Sequence, residues 1–145
     1  MSYTIQAIIG KSGSLKSVNV ASTKLITLEQ DMEMLPLTDQ FLEEYKISFL
    51  PLTDEGLEEL PENLKLLCEQ ASKNKQIAYI EAEIFGGQGT QACTIFNNSK
   101  IVFGPLVDDN AINKALKHLG VEKRTGHDEF ESLGLNKNRD TNNWV

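Results

Sequence analysis

Between Ile77 and Pro105 the chain reads IAYIEAEIFGGQGTQACTIFNNSKIVFGP, and this stretch limits the fold more than any other. From Ile77 to Phe85 the residues alternate with the period of a strand. Ala78, Ile80, Ala82 and Ile84 share one face, while Tyr79, Glu81, Glu83 and Phe85 share the other. Gly86-Gly87-Gln88-Gly89 then reverses the chain, because glycine enters positive φ without a Cβ clash. Asn97-Asn98-Ser99 supplies a second turn. The stretch therefore predicts an antiparallel meander of Ile77–Phe85, Thr90–Phe96 and Lys100–Phe103. With a four-residue loop, Phe85 pairs with Thr90, which sets Glu81 opposite Thr94 and Glu83 opposite Ala92.

Elsewhere the pattern is shorter in range. Ser2–Gly10 (SYTIQAIIG) is rich in β-formers and predicts a strand, followed by a turn cluster at Lys11–Ser14. Leu15–Ser22 reads equally as strand or loop. Lys24–Leu28 and Met32–Leu37 predict two further strands around a turn at Glu29-Gln30-Asp31. A repeat then follows: LPLTDQFLEE from Leu35 recurs as LPLTDEGLEE from Leu50. In each copy proline keeps the preceding leucine extended, and the threonine is placed to cap a helix with acidic residues in its first turn. Leu37 and Leu52 sit where a hydrophobic staple would. The first helix is expected at Asp39–Lys46. The second is expected to begin near Asp54, to restart at Pro61 and to run to about Lys73, with Leu60, Leu64, Leu67, Cys68 and Ala71 on its apolar stripe. Asp108-Asp109 predicts the cap of a third helix ending at Gly120, and Asp128–Leu133 a short fourth stopped by Gly134. Asn136–Val145 lacks periodicity and is a candidate mobile tail, although Trp144 is an apolar ring expected to pin it to the body or to a partner.

With 145 residues the chain suits a single domain spanning 1–145, large enough to be stable without disulfide or metal. The expected fold is α+β: a mostly antiparallel twisted sheet of five or six strands, with two or three helices packed on one face. No apolar run nears the roughly 20 residues of a membrane span, and the first residues carry no secretory pattern, so a cytoplasmic location is expected. The net charge of −7 argues against nucleic acid as a partner, because phosphate contacts need clustered Lys and Arg. Acidity instead favours fast encounter with a basic protein. Oligomeric state stays open.

The sharpest candidates for chemistry are Glu81 and Glu83, which project from one strand face roughly 7 Å apart. Two carboxylates beside a glycine turn could act as acid and base or hold a divalent cation. Tyr79 and Phe85 edge the same face, which better suits contact with a protein. Tyr79, Glu81, Glu83 and Phe85, with Thr94 and Phe96 on the next strand, are therefore the candidate partner-binding residues. Gly86–Gly89 is read as a hairpin turn, since a phosphate loop would precede a helix and carry lysine. His127-Asp128 matches the HD pair of phosphohydrolases without its further ligands. Cys68 and Cys93 lack metal spacing and read as small buried hydrophobes. No catalytic set, metal-ligand set or cofactor is expected.

Three segments carry a resemblance: LPLTD, AYIEAEIFGGQGTQA and DEFESLGL. They resemble a group of small bacterial cytosolic proteins with no activity to carry over. In size and acidity the chain is also loosely similar to immunity proteins of contact-dependent and polymorphic toxin systems, which bind and block a cognate toxin. That likeness implies a protein-binding module whose partner is a basic toxin domain. The alternatives are a metal-dependent or acid/base enzyme using Glu81 and Glu83, and a structural or regulatory domain.

Overall fold

The computed structural model describes residues 2–16, 18, 23–86 and 88–145. In chain order it contains β1 (Ser2–Lys11), β2 (Ile26–Thr27), β3 (Met32–Pro36), α1 (Asp39–Tyr45) and α2 (Glu62–Ala71). The meander follows as β4 (Gln76–Phe85), β5 (Gln88–Asn97) and β6 (Lys100–Val107), and then α3 (Ala111–His118) and α4 (Glu129–Leu133). Two 3-10 turns, Leu135–Lys137 and Thr141–Trp144, complete the chain. The strands form one antiparallel sheet in the order β2-β3-β1-β4-β5-β6, so the α+β class and the antiparallel sheet are as the sequence predicts. Part of the ambiguous Leu15–Ser22 stretch, together with Gly87 of the first turn, lies outside the described residues.

The sheet centre is β1 against β4, paired from Ser2↔Phe85 to Gly10↔Ile77. Both strands are buried on both sides, and this is where the expectation of helices on one face fails. Odd-numbered β1 residues Ile5, Ala7 and Ile9 join Ala78, Ile80, Ala82, Cys93 and Ile95 beneath α3, α4 and Trp144. On the opposite face, Ile8, Ile77, Tyr79, Ala92 and Phe96 pack beneath Phe41 and Leu42 of α1 and Leu64, Leu67 and Cys68 of α2. The two helix pairs thus cover opposite faces. The physical reason lies in β4 itself: its second face carries tyrosine and glutamate, yet it is apolar enough at Ile77 and Tyr79 to need cover.

The β4–β5 ladder closes on Phe85↔Gln88, setting Tyr79 opposite Thr94, Glu81 opposite Ala92 and Glu83 opposite Thr90. The register expected from a four-residue loop is off by two, which leaves every side chain on its expected face. Gly89 belongs to the strand, where it faces Ile84. A Cβ there would strike the Glu83 carbonyl and the Ile84 Cα, so its role is close backbone approach.

The two repeat copies part ways. Thr38 caps α1 as expected, its Oγ1 accepting from the Phe41 amide at 3.3 Å, and Phe41 is fully buried. In the second copy glycine stands where the first has Phe41. Gly56 takes φ +72°, so the segment has neither an apolar anchor nor a helical backbone there. Residues 51–54 form turns, and the helix begins only after Pro61. The third helix starts after Asn110, while Asp108 accepts from the Asn110 amide at 3.1 Å and pairs with Lys114 at 2.9 Å. The tail is not loose. The Thr4 amide donates to the Arg139 carbonyl at 2.8 Å, the Gln6 amide to Thr141 Oγ1 at 3.0 Å, and Trp144 is buried against the core of the α3 face.

Candidate functional site

The face of β4 that carries Tyr79, Glu81, Glu83 and Phe85 changes character along its length. Tyr79 and Glu81 are fully buried, Glu83 is half-buried, and Phe85 is 59% exposed. What covers the first pair is the segment Ser48–Thr53, held down by two polar side chains of adjacent strands. Gln6 of β1, which pairs with Glu81, donates from Nε2 to the Ser48 carbonyl at 3.1 Å, and its Oε1 accepts from the Leu50 amide at 3.0 Å. Glu81 Oε1 accepts from the Leu52 amide at 3.1 Å, the Thr53 amide at 2.9 Å and Thr53 Oγ1 at 3.0 Å. The Tyr79 hydroxyl donates to Glu81 Oε2 at 2.6 Å and accepts from Gln6 Nε2 at 3.0 Å. Sequence spacing explains the arrangement: Tyr79 and Glu81 are two apart on one strand, and antiparallel register brings Gln6 beside both.

Burial raises the Glu81 carboxyl above its ordinary range, while the hydrogen bonds from Tyr79, Thr53 and Leu52 pull the other way. Burial also pushes the Tyr79 phenol up, reinforced by the charge of Glu81 and the bond to it. Tyr79 therefore remains a donor. Both Glu81 oxygens are committed to the chain's own donors, and neither reaches solvent. The reading of Glu81 and Glu83 as a joint surface pair is corrected on this ground, and so is that of Tyr79, Thr94 and Phe96 as partner contacts. All but Glu83 of these are fully buried beneath the Ser48–Thr53 segment and the α1–α2 layer. Thr94 Oγ1 makes no hydrogen bond among the described residues.

Glu83 has a different partner. Burial raises its carboxyl first, and the charge of Asp54 and a hydrogen bond to Asp54 raise it further. Asp54 is placed beside Glu83 by the turn that carries it: Glu81 holds Thr53, and the Asp54 amide donates to the Leu50 carbonyl at 2.9 Å. Beside them lies an open groove of about 480 Å³, bounded by Leu52, Thr53, Leu57 and Glu58 on one side and Thr90, Pro105 and Val107 on the other. Leu57 is 43% exposed and Val107 50% exposed. Asp54, Glu55, Glu58 and Glu59 are all exposed, so the groove has apolar walls and an acidic rim. Val107 pairs with Ala92, and Phe85 with Gln88, which places all four on the face that carries Glu83.

The other candidates are absorbed by structure. Asp128 is the N-cap of α4 in a capping box with Glu131, and His127 lies 3.9 Å from Glu131, so the His-Asp pair is a helix start. His118 rests against Phe103 with ring centres 4.6 Å apart. Cys68 and Cys93 are buried and free, as their positions predict. Among the described residues no three His, Cys, Asp or Glu side chains converge as metal ligands, and no helix is long and apolar enough to cross a membrane.

Sequence reasoning missed Gln6, Asp54, Leu57 and Val107. Gln6 was visible as a lone amide in an otherwise apolar run. The glycine at position 56 marked the second repeat copy as something other than a helix start. Comparison with known proteins gives no match: no family model fits the chain, and no curated protein or solved structure matches it.

Proposed function

We propose that this protein is a protein-binding module that docks a basic partner on the uncovered end of the α1–α2 sheet face. The observation that carries the reading is the groove with exposed apolar walls at Leu57 and Val107 and an acidic rim of Asp54, Glu55, Glu58 and Glu59, with Glu83 and exposed Phe85 on the same sheet face. Two carboxyl groups held together repel, and one of them keeps its proton to higher pH than usual. An arginine or lysine from a partner relieves that repulsion, and arginine does so with two parallel hydrogen bonds. Phe85, Leu57 and Val107 supply apolar contact around the charged centre, the arrangement expected of a small number of dominant interface residues. The net charge of −7 adds long-range attraction toward a basic surface.

The biological form of this reading is an immunity protein that blocks a toxin by occlusion. Co-expression with the toxin domain encoded beside it tests that form, and absence of both complex and protection would sink it. The surface is tested in the same complex. Glu83→Gln and Leu57→Asp are each expected to weaken binding at least about tenfold, the scale of one charge-assisted hydrogen bond or one apolar anchor. Unchanged affinity in both variants would move the interface elsewhere.

A further inference from the structure

The opposite face of the sheet carries a second cavity, of about 240 Å³, which the protein-docking reading does not use. Its floor is apolar, from Ala82 and Ile84 of β4 and Ile112 of α3. One wall is the edge-to-face pair Tyr3–Phe130, with ring centres 5.2 Å apart and planes at 71°. The polar residues that edge it are Asn113, Asp128 and Gln91. An engineered cavity of about 150 Å³ takes up benzene, so this space accepts one substituted ring.

The hydrogen-bond inventory of the rim selects the charge of the occupant. The Tyr3 hydroxyl has given its hydrogen to the Leu135 carbonyl at 3.0 Å, which leaves oxygen lone pairs. Both amide hydrogens of Asn113 are spent, on Asn110 Oδ1 at 2.8 Å and Asp128 Oδ2 at 3.1 Å. Among the described residues Asn113 Oδ1 takes only the Phe130 amide, at 2.8 Å, and retains a lone pair. Asp128 accepts from the Glu131 amide through Oδ1 and from Asn113 through Oδ2, and as a carboxylate it has further capacity on each oxygen. These residues therefore offer acceptors and a negative charge. Gln91 anchors the Ile112 amide through Oε1 at 3.0 Å, and its side-chain amide adds a donor to the lining.

We infer that this cavity is a binding site for a small monocyclic aromatic amine, with its ring on Ile84 and Ile112 beside Tyr3–Phe130 and its ammonium group at Asp128. The Tyr3 and Phe130 ring edges, turned at 71°, let a third ring pack in the offset or edge-on geometry that aromatic groups prefer.

The test uses four probes of the intact protein followed by amide-resolved NMR titration: 2-phenylethylamine, 3-phenylpropionate, 2-phenylethanol and ethylamine. The amine is expected to shift Tyr3, Ile84, Asn113 and Phe130 and to bind at least about tenfold more tightly than the acid. Ethylamine, which has charge without a ring, is expected to bind at least about tenfold more weakly than 2-phenylethylamine. Asp128→Asn keeps a good helix cap and is expected to lose about tenfold in amine affinity, with a smaller loss for the neutral 2-phenylethanol. Equal binding of acid and amine, equal binding of ethylamine and 2-phenylethylamine, or no shift at these residues with any probe would each overturn the assignment. Should Asp128→Asn fail to fold, the comparison of amine, acid and ethylamine on the wild type still decides.

Discussion

Truncating Glu81 to alanine tests whether a buried carboxylate holds the Ser48–Thr53 segment on the sheet. Glu81 accepts from four donors: the Leu52 and Thr53 amides, Thr53 Oγ1 and the Tyr79 hydroxyl. Thr53 is half-buried and can turn to water, so two donors, Leu52 N and Tyr79 OH, are stranded by the truncation. A buried donor left unpaired costs about 1–3 kcal/mol. Removing the carboxylate also removes its own desolvation penalty, which offsets part of this. The expected loss is about 2–4 kcal/mol near neutral pH. Urea unfolding followed by the fluorescence of Trp144 reads it without interference, since Trp144 belongs to the core on the opposite face. Hydrogen exchange at the Leu52 and Thr53 amides reads the local release. The loss should also depend on pH in a definite direction. Burial leads the causes that raise the Glu81 carboxyl, so the folded state binds more protons than the unfolded one between the ordinary carboxylate value and the folded value. Wild-type stability from this group is therefore greatest in acid and falls as pH climbs through that window. Glu81→Ala lacks that component, and the gap between the two proteins narrows with rising pH. A change under about 0.5 kcal/mol, with Leu52 as protected as in the wild type, would refute the anchoring role.

Four further outcomes follow from the same geometry. Gly89→Ala should destabilise by about 1–3 kcal/mol in urea titration, because a Cβ there meets rigid backbone at Glu83 and Ile84. Trp144→Ala should cost about 3 kcal/mol and expose the tail to limited proteolysis, since it empties an apolar site in the core where the tail packs on β1 and β3. Neither thiol should react with an alkylating agent in the native state at pH 8, since burial pushes Cys93 up to about 11 and raises Cys68 still further; rapid labelling of either would contradict that. In Glu81→Ala, the Glu83 carboxyl should titrate closer to the ordinary range as Asp54 moves away, as followed by side-chain carbon-13 shifts; an unchanged Glu83 titration would mean that the Asp54 amide bond to Leu50 holds the turn without Glu81.

Local chemistry made most elements legible. The strict alternation in β4 and the glycine and asparagine turns predicted the meander, and the apolar stripe of α3 predicted that helix. What could not be read was cover. A strand face bearing Tyr79, Glu81 and Glu83 has the composition of a surface, and only a segment some thirty residues away in sequence turns part of it into an interior. The repeat misled for a similar reason. Both copies carry Thr-Asp after Leu-Pro-Leu, but the first has Phe41 to bury and the second has Gly56 with a left-handed backbone. Helix capping signals act only where the following turn can pack. The register error came from placing Gly89 in the loop, where its flexibility suits a turn. Its place is in the ladder, where the absence of a Cβ lets two strands approach.

Glu81 and Glu83 then divide one task between interior and surface. A like-charge pair at a surface normally separates, because both side chains are free to swing apart and water screens what remains. The Asp54 backbone lacks that freedom: its own amide donates to the Leu50 carbonyl at 2.9 Å, and the two residues before it donate to Glu81. The buried acceptor thus fixes the position of the exposed acid without touching a partner itself. Holding the pair together raises the energy of the free protein, and under the docking proposal it lowers the ordering cost of binding a cationic partner group, which is how preorganisation turns fold stability into affinity. Under the docking proposal a substitution at Glu81 weakens partner binding through Asp54 even though Glu81 is inaccessible, while Glu83→Gln weakens binding and, by relieving the repulsion, leaves the fold as stable or more so. Of the two, the buried site should lower both quantities together.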